Sequence, residues 1–432
     1  VVQLERELVV ALPQSVGAEV LLLGWVHRLR ALARTTFIVL RDHTGDVQCV
    51  GGREILDELA LKLDDVIRIH GKVRADERSR AGFEVDIISV QVLNPSGQML
   101  PFNASTEVSG ISPDVILEHR PLSLRHDRGR GIFTVQAAIL QGFRKYLESQ
   151  RFTEIITSKF VAGGTEGGTN LFEVKYFDRT AYLAQSPQLY KEYGVVGFER
   201  VFETGHVYRA EPHATSRHLT EYYSLDLEMG FISGPEDIIL LEKKLLTQLF
   251  EDINVRHGEI LKYFGASRLP SMMDVPTWEF SECLERLHKF YGRHDLIDDL
   301  DPEAERQLCA LADKECGVAA VFVLGFPLQS RPFYTHPRGE EGASGSFDLL
   351  FRGLEITTGG QRLHRRADLE RAIVARQMSL GAFAGHLRMY DLGMPPHGGF
   401  AIGLERLTAQ ILGLQNVREA TMYPRDRNRL MP

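Results

Sequence analysis

Apolar and polar positions alternate through the first hundred residues in runs too short for helices. Val20 to Arg28, Phe37 to Asp42, Asp46 to Val50, Val66 to Arg74 and Phe83 to Leu93 each read as a strand. His43-Thr44-Gly45 is a turn between the second and third, and Arg53 to Lys62 reads as a short helix before the fourth. After Pro95-Ser96-Gly97 the pattern loosens, and residues 101–120, with Pro101 and Pro113, read as a hinge. From Pro121 the period changes. Val135, Ile139, Phe143 and Leu147 recur every fourth position in Thr134 to Gln150, the stripe of an amphipathic helix. Longer helical patterns follow over Pro235 to Val255 and Arg365 to Leu380.

Five strands with a helix between the third and fourth predict a small Greek-key barrel of the oligonucleotide-binding (OB) type. The fold class expected is therefore α+β: an OB-fold barrel over residues 1–100, the hinge at 101–120, and one α+β body over 121–432. No internal repeat or low-complexity tract interrupts it.

The chain has 432 residues, 44% hydrophobic and 25% charged, ordinary for a globular protein. No apolar run reaches membrane-spanning length, and the N-terminus carries no charged-then-apolar leader. Cys49, Cys283, Cys309 and Cys316 form no CxxC pair, so a reduced, cytoplasmic protein without structural zinc is expected. The net charge of −8 argues against a nonspecific nucleic-acid coat. A local positive face for RNA stays compatible with it.

The chain has neither a GxxxxGK[ST] loop nor a GxGxxG after a strand. Arginines and carboxylate-held magnesium can bind a nucleotide without them. Arg209 and Glu211, two apart on an expected strand, share a face, and Arg217 and His218 follow a polar loop. Asp226 and Glu228 share a face on the return strand. Such a charged hairpin is ordinarily a solvated surface, but Val207, Leu225 and Leu227 imply a sheet packed on one side. Gly399 to Arg406 runs from a glycine-rich strand into a helix, with Gly403 at the junction and Arg406 one turn in. Asp348, Glu355 and Thr358 offer hard oxygen ligands suited to magnesium; the bland alternative is an acidic strand and a Gly-Gly turn. Gln185-Ser186-Pro187-Gln188-Leu189-Tyr190-Lys191 reads as a helix start with Ser186 as N-cap and Pro187 at the first position. It sets Gln188 and Lys191 on one face, although a helical lysine usually ends in solvent. Gly163 to Thr169 is rich enough in glycine to be a lid or merely a loop.

In chain order, Gln185 to Lys191, Arg209-Ala210-Glu211, Arg217-His218-Leu219-Thr220-Glu221, Gly403-Leu404-Glu405-Arg406 and the Pro424-Arg425-Asp426 ending resemble a family. The chain resembles the class II aminoacyl-tRNA synthetases of the aspartate–asparagine–lysine subgroup, most of all the archaeal-type aspartyl-tRNA synthetases, over essentially its whole length. That resemblance implies an antiparallel catalytic sheet flanked by helices, with ATP bound bent. Arg209 would hold the α-phosphate, Arg217 and Arg406 the outer phosphates, and Tyr222 would stack under adenine. Glu211, His218, Glu355 and Gly403 would complete the nucleotide site, with Arg209, Arg406 and Glu355 as its catalytic groups. Asp348, Glu355 and Thr358 would hold Mg2+. Lys191 and Arg362, helped by Gln188, would pair with the side-chain carboxylate of L-aspartate. Asp226 would take its ammonium, Glu166 would close over it, and Thr358 would border the same site. On the barrel, Phe37, Gln48, Glu84, Arg30 and His27 would meet the anticodon.

The implied activity is aspartate–tRNA ligation, by way of an aspartyl-adenylate, in a homodimer with no membrane association. Ser158 stands where the dimer-interface motif normally has proline. His27 stands where enzymes strict for tRNA(Asp) tend to have Trp, which implies relaxed charging of tRNA(Asn) as well and a functional link to an amidotransferase. The rival readings are an asparaginyl-tRNA synthetase, a tRNA-free asparagine synthetase of the same fold and an inactive RNA-binding relative. Lys191 argues against the first, the barrel with Phe37 and Gln48 against the second, and Arg209, Glu355 and Arg406 against the third.

Overall fold

The structure is a computed structural model that describes residues 4–54, 59–79, 81–97, 100–102, 110–164, 170–212, 215–339 and 342–431. It divides into two compact units, Val1–Arg130 and Gly131–Pro432.

In the first unit, the alternating pattern closes into a barrel of β1 (Glu19–Ala31), β2 (Thr35–Arg41), β3 (Asp46–Gly52), β4 (Val66–Ala75) and β5 (Phe83–Asn94). Its strand order is β1-β2-β3-β5-β4, as expected of the OB type. Leu22, Val26, Ile38, Leu40, Cys49, Ile67, Ile69 and Val85 fill the interior. The β2–β3 turn is held by Asp42, whose Oδ1 accepts from Thr44 N (2.7 Å) and Gly45 N (3.1 Å). β1 bulges between Val26 and Arg28, leaving His27 without a strand partner. Of the helix expected over 53–62, residues 55–58 lie outside the described residues, and 60–62 are not helical.

The second unit is built on an eight-stranded sheet. Its strands in chain order are β6 (Thr153–Glu154), β7 (Arg200–Tyr208), β8 (Glu221–Gly230), β9 (Thr277–Glu279), β10 (Ala320–Leu324), β11 (Ser346–Phe351), β12 (Leu354–Arg362) and β13 (His397–Gly403). They lie in the order β9-β10-β11-β12-β13-β8-β7-β6. The β9–β10 and β7–β6 pairs are parallel and the others antiparallel. The helix predicted by the four-residue stripe spans Asp127–Ser149, and Val135, Ile139, Phe143 and Leu147 are all fully buried. The next long helix, Pro235–Tyr263, runs further than its pattern indicated and breaks helical geometry at His257. With the helix Leu404–Leu412 these two cover one face of the sheet. Leu225, Leu227, Leu349, Phe400 and Ile402 share that apolar cluster. Period-two alternation therefore sends Asp226, Glu228 and Asp348 to the opposite face.

One bulge matters to that face. Leu349 pairs with Thr357 and Leu350 with Glu355, so Ile356 is the extra residue of β12. Without it Glu355 and Thr358, three apart, would point to opposite sides. With it Thr358 Oγ1 donates to Glu355 Oε1 at 2.9 Å.

Beneath the sheet Glu242 is fully buried, and burial pushes its carboxyl up to about 8. A carboxyl raised on folding stabilises in full below its unfolded value of 4.5 and loses that contribution as pH rises through about 8. Thermal melts of Glu242→Gln between those limits should therefore show a flatter decline with rising pH than the parent. An unchanged slope would mean that Glu242 is not held protonated.

Candidate active site

The polar sheet face carries two adjoining groups of charges. The first lines a cleft of 320 Å3, bounded by Arg209, Glu211, Arg217, His218, Tyr222, Glu355, Thr358, Gly403 and Arg406 among others. Nine residues expected to meet a nucleotide or its metal thus share one cavity wall, though far apart in sequence. β7 ends at Tyr208, so Arg209 and Glu211 sit just past the strand rather than on it as expected. The loop they begin is pinned where Arg209 N donates to Thr220 O at 2.9 Å. The Arg209 guanidinium lies 5.8 Å from the Tyr222 ring centroid. Gly403 ends β13, and a Cβ there would meet only the Arg406 side chain at 3.7 Å, so the junction is open to the cleft.

Arginine charge in this cleft is matched by carboxylates. Arg406 Nη1 donates to Glu355 O at 3.0 Å and lies 3.5 Å from Glu355 Oε1. Burial pushes the Glu355 carboxyl up, but Arg406 and the Thr358 hydroxyl outweigh it and hold it low. Arg217 is ion-paired with Glu305, whose carboxylate also accepts from Glu355 N at 3.0 Å. His218 is held below its ordinary range by burial and then by Arg406. Asp348 is buried behind the wall, raised to about 6 by burial even though Arg331 grips it at 2.8 Å. Neither Arg331 nor Glu305 sits in a motif, so the sequence alone does not point to them.

The second group is a buried ionic cluster. Lys191 lies on the helix Gln188–Phe198, which begins one residue later than expected, with Pro187 rather than Ser186 as its N-cap residue. Ser186 Oγ nevertheless accepts from Gln188 N at 3.3 Å. Lys191 does not reach solvent: it is 1% exposed. Its Nζ is 2.9 Å from Asp226 Oδ1 and 3.5 Å from Glu228 Oε2. Arg362 Nε donates to Glu228 Oε1 at 3.1 Å, and its Nη2 to Gly399 O at 3.1 Å. Gln188 Nε2 donates to Glu192 Oε1 at 2.9 Å. Burial raises the Glu228 carboxyl, but Arg362 and Lys191 reverse the sign and keep it low. A side chain at Gly399 would strike Leu227 O at 2.0 Å and Glu228 Oε2 at 2.5 Å, so glycine is required there. Glu228 was legible as a face-sharing carboxylate, but its place between two cations was not. Glu166 lies outside the described residues.

On the barrel, strand register places Arg30 opposite Phe37 and Gln48 opposite Val39. Gln48 Nε2 donates to Glu84 Oε2 at 2.8 Å, and Arg74 pairs with the same carboxylate. Phe37 is half-buried and Arg30 exposed. His27 is buried at its bulge, Nε2 3.8 Å from Asp46. Its ring is held below its usual range first by burial and then by Arg41.

Comparison with known proteins gives the chain's relatives. Residues 112–427 match the family described as tRNA synthetases class II (D, K and N), and residues 20–93 match the OB-fold nucleic acid binding domain. The aspartate–tRNA(Asp/Asn) ligase of Thermus thermophilus is 46% identical, over 99% of this chain and 100% of its own. The aspartate–tRNA(Asp) ligase of Picrophilus torridus is 39% identical, over 96% of this chain and 97% of its own. Among solved structures, asparaginyl-tRNA synthetase from Pyrococcus horikoshii complexed with asparaginyl-adenylate superposes with a TM-score of 0.92 at 28% identity, each chain fully covered. The chain belongs to the class II tRNA synthetases of the D, K and N group.

Proposed function

We propose that this chain is an aspartate–tRNA ligase, and that the buried cluster of Lys191, Arg362, Asp226 and Glu228 is its aspartate pocket. The observation behind this reading is the Lys191–Asp226 pair, 2.9 Å apart and almost wholly buried beside the arginine-lined cleft. Substrate aspartate brings both charges that such a pair can exchange for. Its side-chain carboxylate takes Lys191 and Arg362, and its ammonium takes Asp226. Asparagine offers only the second, so its amide leaves Lys191 without a new counter-charge. This favours aspartate over the asparaginyl reading, which shares the fold.

In the cleft, Arg209, Arg217 and Arg406 neutralise the phosphates and align ATP. The aspartate α-carboxylate attacks the α-phosphorus and the bond to pyrophosphate breaks. No protein nucleophile is needed, because the substrate supplies one. The terminal ribose hydroxyl of tRNA then attacks the acyl carbon, losing its proton as AMP leaves. Asp348, Glu355 and Thr358 fit a magnesium ion in donor type. Among the described residues no group of three or more His, Cys, Asp or Glu is placed to hold a metal. Two carboxylates suit an ion held largely by phosphates and water. When bound, magnesium supplies further positive charge against the phosphate oxygens.

Phe37, Gln48 and Arg30 lie on an outer barrel face suited to stacking on and hydrogen-bonding anticodon bases, while Glu84 is buried and acts through its pairing with Gln48 and Arg74. His27, being buried, acts there through Asp46 and Arg41 rather than by direct contact. With His27 in that place, the enzyme charges both tRNA(Asp) and tRNA(Asn), and an amidotransferase consumes the second product. A homodimer is favoured by β6 at the sheet edge and by Ile156, 95% exposed beside it. No helix among the described residues is long and apolar enough to cross a membrane.

Lys191→Ala should lower aspartate-dependent ATP–pyrophosphate exchange by at least about a hundredfold while ATP still binds. Near-parental exchange would remove Lys191 from the pocket. Purified tRNA(Asp) and tRNA(Asn) should accept aspartate at comparable rates; charging of tRNA(Asp) alone would refute the relaxed reading. Ile156→Asp should shift the protein toward monomer in sedimentation, and an unchanged mass would place the interface elsewhere.

A further inference from the structure

Asp348 and Glu355 each have their own guanidinium, but the two pairings differ. Arg406 meets Glu355 loosely, at 3.5 Å, in a half-open position. Arg331 meets Asp348 through both nitrogens, Nη1 to Oδ1 at 3.3 Å and Nη2 to Oδ2 at 2.8 Å. Only 12% of the Arg331 side chain and 8% of the Asp348 side chain are exposed. This is the fork-to-fork geometry that satisfies both carboxylate oxygens at once.

Arg331 is also built into a wall of the cleft. It follows the short turn Leu328–Ser330, and the carbonyls of Leu328 and of Arg331 itself accept from Arg376. Its guanidinium lies 3.7 Å from the Phe326 ring centroid. Its Nε is buried and makes no hydrogen bond. Arg331, Ser330 and Pro332 line the same 320 Å3 cleft as Arg209, Glu355, Thr358 and Arg406. Arg331 thus borders the cavity where phosphate oxygens would sit.

We propose that Arg331 is an internal counter-ion that takes the place of a divalent cation on Asp348 until a nucleotide binds. Asp348 becomes available to a metal ion only when the nucleotide enters and its phosphates draw Arg331 away. Metal binding is thereby tied to nucleotide binding, and the buried carboxylate is never left without a cation. The inference rests on the reading of Asp348 as a metal ligand, and it assigns to Arg331 a positioning role that acts through that carboxylate.

Mn2+ titrated without nucleotide, with free ion followed by electron paramagnetic resonance, tests it. Arg331→Gln should bind Mn2+ at least about tenfold more tightly than the parent, because the internal competitor is gone. The gain should vanish in Arg331→Gln/Asp348→Asn. Arg331→Lys keeps the charge without the fork and guards against loss of fold; it should fall between parent and Arg331→Gln. Equal Mn2+ affinity in parent, Arg331→Gln and Arg331→Lys would overturn the proposal. Were Asp348→Asn then still to weaken Mn2+ binding in the presence of a non-hydrolysable ATP analogue, the metal-ligand reading would survive that failure. A gain that persists in the double variant would overturn both.

Discussion

Two cations, Lys191 and Arg362, are buried on a sheet face that also buries Asp226 and Glu228. Burying a charge alone is prohibitive, and burying a matched set is tolerable only while every member stays paired. That constraint organises the second unit. It forces the carboxylates onto the strand positions opposite the apolar core. It also requires Gly399, because any side chain there would push into Glu228.

The same rule extends into the adjoining cleft. Arg217 stands on Glu305, Arg406 on Glu355 and Arg331 on Asp348. A ligand-free site lined with uncompensated guanidinium groups would repel itself. Internal partners remove that strain, and on the proposed reading substrates exchange with them. The side-chain carboxylate and the ammonium of aspartate match Lys191 and Asp226 in sign. The phosphates of ATP match the arginine row. Specificity and folding thus draw on one set of electrostatic contacts.

Much of this was legible in the sequence. The barrel strands and the stripe at Val135, Ile139, Phe143 and Leu147 follow from period, and the charged motifs from their resemblance to a family. Three features were not. The bulge at Ile356 decides that Glu355 and Thr358 share a face, and no local residue announces it. Lys191 reads as an ordinary helical lysine, because its burial depends on strands that are remote in sequence. Arg331 and Glu305 lie in unremarkable segments, and only the folded sheet brings them to the cleft. The helix start slipped by one residue, from Ser186 to Pro187 as cap, because either can precede the first turn. The two units divide between Arg130 and Gly131, past the hinge expected over 101–120, of which residues 103–109 lie outside the described set.

The exchange of partners at Lys191 is open to direct observation. A crystal structure with L-aspartate and a non-hydrolysable ATP analogue should show Nζ on the substrate's side-chain carboxylate and Asp226 on its ammonium. If Nζ stays on Asp226 while the amino acid binds against other groups, the buried cluster is not the aspartate pocket.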